Sequence, residues 1–245
     1  MLNIQHRFSF FSNHSSMPSK NTILLILYLS ISLLNLWAGY SHNNTLAFYS
    51  KPLLMPILAL WFYFQTKNHS SIFRQLILLA LFFSWGGDTF LMFVESKGEH
   101  FFLFGLVSFL LTHILYTTAF LKTVSWNKGF LWKNKWIVIP FLIFFLGFQN
   151  YLLPDIEEAM QIPVAVYSSV IILMVLAALN WNTFLEKKTF QLVFFGAILF
   201  MLSDSIIALN KFKSAIPQAH IWIMSLYLLG QYLIVKGGIE MMKEQ

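Results

Sequence analysis

The sequence predicts an all-α protein, a polytopic transmembrane helical bundle of about eight spans. Of its 245 residues, 58% are hydrophobic and only 11% are charged, with a mean hydropathy of +0.67. A water-soluble domain of this length would lack the polar surface needed to cover itself. Eight apolar segments follow one another along the chain, most of them within the roughly 17 to 25 residues that a spanning helix needs. They lie at about residues 22–39, 46–65, 72–94, 101–121, 136–150, 160–181, 190–211 and 218–236, the fifth being the shortest.

The loops between these segments are too short to form a soluble module. We therefore expect a single transmembrane domain at residues 22–236, between a cytoplasmic N-terminal tail at 1–21 and a short cytoplasmic C-terminal tail at 237–245. The N-terminal tail contains no apolar run long enough for a signal peptide. Met17 is an alternative start of translation within this tail.

The distribution of basic residues predicts the orientation, because Lys and Arg are retained on the cytoplasmic side of a membrane. Twelve basic residues collect on one side of the predicted spans and three on the other, which also carries the acidic loops. We therefore expect both termini in the cytoplasm, which agrees with an even number of spans because such a number places the two termini on the same side. The membrane we expect is a bacterial cytoplasmic (inner) membrane. The twelve are Arg7, Lys20, Lys67, Arg74, Lys122, Lys128, Lys133, Lys135, Lys187, Lys188, Lys236 and Lys243; the three are Lys97, Lys211 and Lys213.

Composition also excludes several classes of chemistry. The chain has no cysteine, which rules out disulfides, Cys-ligated metals and thiol nucleophiles. The basic residues are dispersed between apolar runs and form no patch, so we expect no nucleic-acid partner. Two aspartates and a histidine could hold a divalent ion, but no ligand pair has i, i+3 or i, i+4 spacing on one helix. We predict no metal site and no cofactor, and the sequence leaves the oligomeric state open.

Three ionisable residues, Lys51, Asp88 and Asp204, lie inside predicted spans. A charge at the centre of a spanning helix costs about 2.5 to 3.5 kcal/mol on insertion scales, so such residues usually face the bundle interior and serve a function. All three lie in the outer part of the membrane, where one polar pocket that opens outward would gather most of these groups. The alternative is that Lys51 pairs with one aspartate, or extends its amine to the interface, and only holds helices together.

A second carboxylate weakens this structural alternative, because one lysine neutralises only one aspartate. The other carboxyl is then protonated or bound to something, and such a pair can divide acid and base roles at neutral pH. We treat Asp88, Asp204 and His113 as candidate catalytic residues, although a histidine alone on an apolar helix is commonly a hydrogen-bonded core residue. Candidate substrate-binding residues are Lys51, Tyr116, Tyr167, Ser203, Tyr227 and Gln231. The alternative is that the Tyr and Gln side chains form hydrogen bonds between helices, as such buried residues usually do in membrane bundles.

The two aspartates lie in a short internal sequence repeat. Each is followed by a hydroxyl residue and an apolar half-turn, in SWGGDTFLMF and MLSDSIIALNKF. Lys51 precedes Asp88 by 37 residues (88 − 51), and Tyr167 precedes Asp204 by 37 (204 − 167). The spacing predicts two parallel four-helix halves with a site between them, as internal repeats in membrane proteins often place it.

Six motifs follow one another through most of the chain. They are KPLLMP at 51–56, S-x-G-G-D-x-x-L-M from Ser84 to Met92, the pattern of Gly105, Phe109, His113, Tyr116 and Phe120, PVAVY ending at Tyr167, GAILFMLSDSIIALNKF at 196–212, and Y-x-x-x-Q-x-L-I from Tyr227 to Ile234. In this order the motifs resemble the YhhN family of integral membrane proteins, whose members include lysoplasmalogenases. The first span and the tails carry no resemblance.

The resemblance implies hydrolysis of the vinyl ether bond of lysoplasmalogen, or of a related ether lysolipid, to a fatty aldehyde and a glycerophospho head group. The implied partners are a lysophospholipid substrate and the lipid bilayer. Acid hydrolysis of a vinyl ether begins with proton transfer to carbon and passes through an oxocarbenium ion. Two carboxylates suit this pathway, by analogy with glycoside hydrolysis, without the sequence deciding which one is the acid.

Two other classes of function stay open. Intramembrane aspartates with a lysine and an echo of two halves also describe an ion- or proton-coupled transporter of a small or lipid-like substrate. Apart from Gly86 and Gly87, however, the spans have few of the central Gly or Pro breaks that discontinuous transporter helices use. The third class is a non-catalytic lipid-binding or assembly protein whose carboxylates only satisfy one another.

Overall fold

The computed structural model describes residues 19–244, which form helices joined by turns and short loops. Arg7 and the alternative start Met17 lie outside the described residues. Short helical turns at Val94–Lys97 and Phe130–Lys133 interrupt two of the connections, and 3-10 turns flank the fifth long helix. The eight long helices are α1 (Lys20–Tyr40), α2 (Asn44–Thr66), α3 (Ile72–Leu91), α4 (His100–Thr123), α5 (Val138–Leu152), α6 (Glu158–Leu179), α7 (Lys187–Phe212) and α8 (Ala219–Lys243).

The predicted fold class, an all-helical polytopic membrane bundle, is confirmed. Each of the eight predicted segments corresponds to one long helix, and seven helices in residues 19–244 are long and apolar enough to cross a membrane by length and composition. The helix outside the seven is α3, which has 20 residues and carries Arg74 and Asp88. α3 ends at Leu91 and not at 94, because the chain turns there into Val94–Lys97. α8 runs past 236 to Lys243, since its last turns are buried in the bundle.

Consecutive helices alternate in direction and define two ends of the bundle. At one end, Asn21 Nδ2 at the start of α1 donates to Gln65 Oε1 at the end of α2 (3.3 Å). We call this the tail end, and it also holds the start of α7 and the end of α8. At the opposite end, called the mouth end, Lys211 of α7 pairs with Glu99 just before α4 (2.5 Å). The described chain therefore begins and finishes at the tail end.

The outer surface is that of a protein in lipid. Large apolar side chains on its outside are strongly exposed, including Leu33 and Ile162, and exposed tryptophans lie near both ends. Tryptophan is enriched where a bilayer meets water, because its ring is apolar and its N–H is polar. Those of the tail end are Trp126, Trp132 and Trp136, and those of the mouth end are Trp37 and Trp222.

Small residues bring the site-bearing helices together. A Cβ at Gly196 of α7 would lie 2.8 Å from the carbonyl oxygen of Gly230 on α8, and one at Gly87 of α3 would lie 2.6 Å from the ring of Phe109 on α4. Contacts this close exclude a side chain, so glycine permits the approach. Since Gly87 precedes Asp88, the packing of α3 on α4 also directs that carboxylate into the bundle.

Candidate active site

The first aspartate lies in a buried network between α2, α3 and α8. Asp88 is only 2% exposed. Its Oδ1 lies 3.4 Å from Lys51 Nζ, and its Oδ2 accepts a hydrogen bond from the Tyr227 hydroxyl at 2.7 Å. The Lys51 side chain retains 16% exposure, so its ammonium lies between the buried carboxylate and an open space.

A chain of polar side chains continues this network toward the middle of the bundle. Gln231 Nε2 donates to Ser84 Oγ at 2.9 Å, and Tyr116 OH donates to Gln231 Oε1 at 2.6 Å. Ser84 Oγ in turn donates to Thr112 Oγ1 at 3.2 Å. These bonds connect three helices through fully buried groups, and satisfying such groups is what membrane bundles require. Tyr116 and Gln231 thus take the helix-joining arrangement that the sequence left open.

The second aspartate lies in a separate network between α4, α6 and α7. Asp204 is 6% exposed and His113 is completely buried. Asp204 Oδ2 lies 2.9 Å from His113 Nε2 and accepts a hydrogen bond from the Tyr167 hydroxyl at 2.7 Å. The same Nε2 lies 3.2 Å from the Tyr167 oxygen, which makes a closed triangle of three polar groups.

The other ring nitrogen of His113 identifies where a proton can reside. Nδ1 lies 3.3 Å from the Met174 sulfur, which can accept a hydrogen bond but has none to donate. This contact favours a proton on Nδ1. A hydrogen bond between His113 Nε2 and Asp204 Oδ2 then requires a second proton, which is bound either to the imidazole or to the carboxyl group. Met174 was not singled out in the sequence, where a methionine in an apolar helix carries no signal of this kind.

The two networks are built alike and stand apart. Each aspartate contacts the residue 37 positions before it, and a residue from the fourth helix of the other half: Tyr227 for Asp88, and His113 for Asp204. α3 packs on α4 as α7 packs on α8. The Phe200 ring lies between the networks, 4.6 Å from the His113 ring and 5.3 Å from that of Tyr227. The sequence pointed to one polar pocket, whereas the structure has two polar networks separated by aromatic rings.

Asp204 opens onto an apolar pocket that encloses about 730 Å³ of empty space, part of it open to the outside. α4, α5, α6 and α7, together with Leu91 at the end of α3, line it, almost entirely with apolar side chains such as Phe145 and Ile172. Tyr167, Ser168 and Ser205 supply the few other polar groups. Asp204 is therefore the charged group in the wall of an otherwise largely apolar pocket.

An open vestibule of about 2120 Å³ adjoins this pocket at the mouth end. Lys51, Glu99, Lys211 and His220 are among its charged and polar lining residues. The two cavities are neighbours, because Leu91, Phe102 and Ile207 line both. The combination is amphiphilic, with an apolar compartment beside a charged one. Asp88 is not part of the lining of either cavity.

The remaining predicted residues are placed as follows. Ser203 Oγ donates to the Ile223 carbonyl oxygen at 3.1 Å, so its hydroxyl joins α7 to α8. Within residues 19–244, no three His, Asp or Glu side chains come close enough together to hold a metal ion.

Lys211 was interpreted in the sequence only as one of three basic residues on the outer side. Lys211 lines the vestibule because α7 packs against the α3–α4 loop, and no local sequence motif predicts that packing.

The fold and these two networks define an integral membrane protein with two buried carboxylates, one of which lines an amphiphilic cavity. The chain belongs to the YhhN family, whose model matches residues 46–238. The match covers both aspartates, His113 and every lining residue of the apolar pocket.

Two mammalian proteins with similar sequences are both named lysoplasmalogenases. Lysoplasmalogenase TMEM86A of Bos taurus is 30% identical over 203 residues, covering 76% of this chain and 76% of the relative. Lysoplasmalogenase TMEM86B of Homo sapiens is 28% identical over 186 residues, covering 76% of this chain and 73% of the relative. No solved structure matches the chain.

Proposed function

We propose that this protein hydrolyses the vinyl ether bond of a lysoplasmalogen, or of a related ether lysolipid, to a fatty aldehyde and a glycerophospho head group. The observation that carries the proposal is the placement of Asp204 and Tyr167 on an apolar pocket that adjoins a charged vestibule, with the buried His113 in contact with both. A single-chain lipid has the same division into an apolar chain and a charged head. The activity named for the mammalian relatives supports the same reaction.

Asp204 and His113 supply the proton in this proposal. The rate-limiting step of vinyl ether hydrolysis is proton transfer to the alkene carbon farther from oxygen, which leaves an oxocarbenium ion at the other carbon. A general acid in reach of that carbon accelerates such a step, typically by 10² to 10⁴-fold. Asp204 fits this role because it lines the pocket and its Oδ2 lies within hydrogen-bond distance of His113 Nε2, at 2.9 Å.

The same pair completes the reaction. Once the proton has left, the Asp204–His113 pair carries one more negative charge and lies next to the cation, which it stabilises electrostatically. Water adds to the oxocarbenium carbon and returns a proton to the pair. The resulting hemiacetal collapses by breaking the bond between carbon and the glycerol oxygen, which releases aldehyde and the glycerophospho alcohol. Tyr167 holds Asp204 in place through its 2.7 Å hydrogen bond.

Asp88 is the ionised member of the two carboxylates in this proposal. Lys51 lies 3.4 Å from it and supplies the countercharge, whereas Asp204 has no Lys or Arg partner among the described residues. Because Asp88 is buried and lines neither cavity, we assign it to positioning Lys51. Lys51 faces the vestibule, where its ammonium can bind the phosphate of the substrate.

Aldehyde release from purified protein in detergent tests the proposal. We expect release from lysoplasmalogen and none from the alkyl-ether or acyl-ester lipids of equal chain length, because only the vinyl ether can form the oxocarbenium ion by protonation. Transport requires two compartments, so activity in detergent also separates the enzyme from the transporter alternative. Failure to release aldehyde from any alkenyl lipid would overturn the enzymatic proposal.

A further inference from the structure

Lys211 is a charged group at the vestibule that the reaction above leaves unused. It lies near the mouth end of α7, and its side chain is 31% exposed. Its Nζ lies 2.5 Å from Glu99 Oε2 and 5.2 Å from the centre of the Phe102 ring. Phe102 lines both cavities, so Lys211 of the vestibule lies beside a residue that the two cavities share.

The geometry of α7 relates Lys211 to the reacting group. Asp204, Ala208 and Lys211 are spaced at four and three residues and therefore lie on one face of the helix. Seven residues of α-helix rise about 10 Å, so a flexible lysine side chain can bridge the distance from a bond beside Asp204 to a phosphate on the same glycerol. Lys51 lines the same vestibule from α2. Two ammonium groups thus border the space where a head group would lie.

Glu99 is a carboxylate that competes for Lys211. Its side chain is 74% exposed, so the carboxylate stays hydrated and its ion pair with Lys211 is weak. Glu99 therefore releases the lysine to another anion at little cost in free energy. A phosphodiester presents the same kind of oxygen acceptor as a carboxylate and forms a comparable charge-assisted hydrogen bond. The ion pair is therefore one that a phosphate can displace at low cost.

We propose that Lys211 binds the phosphate of a single-chain phospholipid and that Glu99 is its exchangeable counter-ion, an inference that rests on the proposed function for the position of the lipid. When the phosphate enters the vestibule, Lys211 leaves Glu99 and joins Lys51 in binding it. Glu99 then opposes binding, because it holds the lysine in the empty site and adds a negative charge beside the phosphate. A purely structural ion pair makes the opposite prediction, that loss of either partner has the same effect.

The second ion pair at this end provides a matched control. Lys213 directly follows α7, two residues after Lys211, and pairs with Asp155 in the loop between α5 and α6. Neither Lys213 nor Asp155 lines the vestibule or the apolar pocket. A Lys213→Gln variant therefore removes one positive charge from the same helix end without touching the inferred site.

Equilibrium binding of radiolabelled 1-acyl lysophosphatidylethanolamine to the full chain in detergent tests the inference without relying on hydrolysis. We expect Lys211→Gln to raise Kd about fivefold or more, since a charge-assisted bond is lost at a partly exposed site. Glu99→Gln should lower Kd, and Lys213→Gln should leave it unchanged. The same variants should bind monoacylglycerol, which lacks phosphate, as the wild type does.

The outcomes separate this inference from the enzymatic proposal. If wild type fails to bind the lysophospholipid, or if Lys211→Gln and Glu99→Gln weaken binding alike, Lys211 is not a phosphate ligand with Glu99 as competitor. An equal effect on monoacylglycerol would likewise overturn the inference. If the binding pattern holds while no alkenyl lipid releases aldehyde, the head-group site stands and the enzymatic proposal fails.

Discussion

Replacing Lys51 by Gln and Asp88 by Asn, singly and together, separates the stabilising role of their ion pair from the role of Lys51 toward substrate. Removing one partner of a buried pair typically costs about 3 to 5 kcal/mol, because the other charge is left uncompensated. Here the atoms are 3.4 Å apart and Lys51 is 16% exposed, which lowers the cost. We expect Lys51→Gln to lower the free energy of unfolding by about 2 to 3 kcal/mol. For Asp88→Asn we expect about 1 to 2 kcal/mol, because the freed ammonium can reach water in the vestibule.

The double variant removes both charges and should regain most of this free energy of unfolding, to within about 1 kcal/mol of wild type. The expected coupling energy is then at least about 2 kcal/mol, measured by unfolding of the purified variants in mixed micelles. Substrate binding should behave differently. The lysine is missing from both Lys51→Gln and the double variant, so KM should stay raised in both. Additive stability losses would refute the ion pair, and a double variant with wild-type KM would refute the contact of Lys51 with substrate.

Three further expectations concern proton transfer, chain binding and orientation. His113→Gln keeps a polar side chain but loses the shared proton, so kcat per folded molecule should fall at least about tenfold and less than in Asp204→Asn; an unchanged kcat would place His113 outside the reaction. Ala208 lines the apolar pocket, so Ala208→Phe should raise KM for long-chain substrates more than for short-chain ones, and an equal rise for both would contradict this binding of the chain. Reporter fusions after residues 97 and 157 should read as external and those after 130 and 243 as cytoplasmic, because of the basic asymmetry; an external C-terminus would refute the orientation.

The helices could be predicted almost completely from the sequence, whereas the pairing of their polar residues could not. Apolar runs of spanning length carry their own signal, because a bilayer demands that length regardless of neighbours. The choice between Asp88 and Asp204 as the partner of Lys51 depends on how helices rotate and cross, which is a property of the whole bundle. The 37-residue spacing, interpreted in the sequence only as a sign of two parallel halves, separates the two members of both the Lys51–Asp88 and the Tyr167–Asp204 contacts.

The apolar pocket and the vestibule were beyond sequence reasoning for a related physical reason. Phenylalanines that line the pocket cannot be told by residue type from those that face lipid, since both environments are apolar. Phe102 and Phe104, two residues apart on α4, illustrate the point: the first is 8% exposed and lines both cavities, and the second is 48% exposed. Only the rotation of α4 distinguishes them. Likewise Lys211 and Lys213 appeared equivalent as outer basic residues, and the packing of α7 assigns them to different partners.

The kcat of Asp204→Asn on lysoplasmalogen tests the central claim most directly, with Asp155→Asn at the protein surface as the matched carboxylate control. Asn keeps the size of the side chain and a hydrogen-bonding oxygen but cannot deliver a proton, so we expect kcat per folded molecule to fall by about 10²-fold or more. Asp155→Asn should release aldehyde at the wild-type rate, and both variants should elute as monodisperse folded protein. An Asp204→Asn variant that stays folded and keeps near wild-type aldehyde release would contradict the account, because the proton would then have to come from another group.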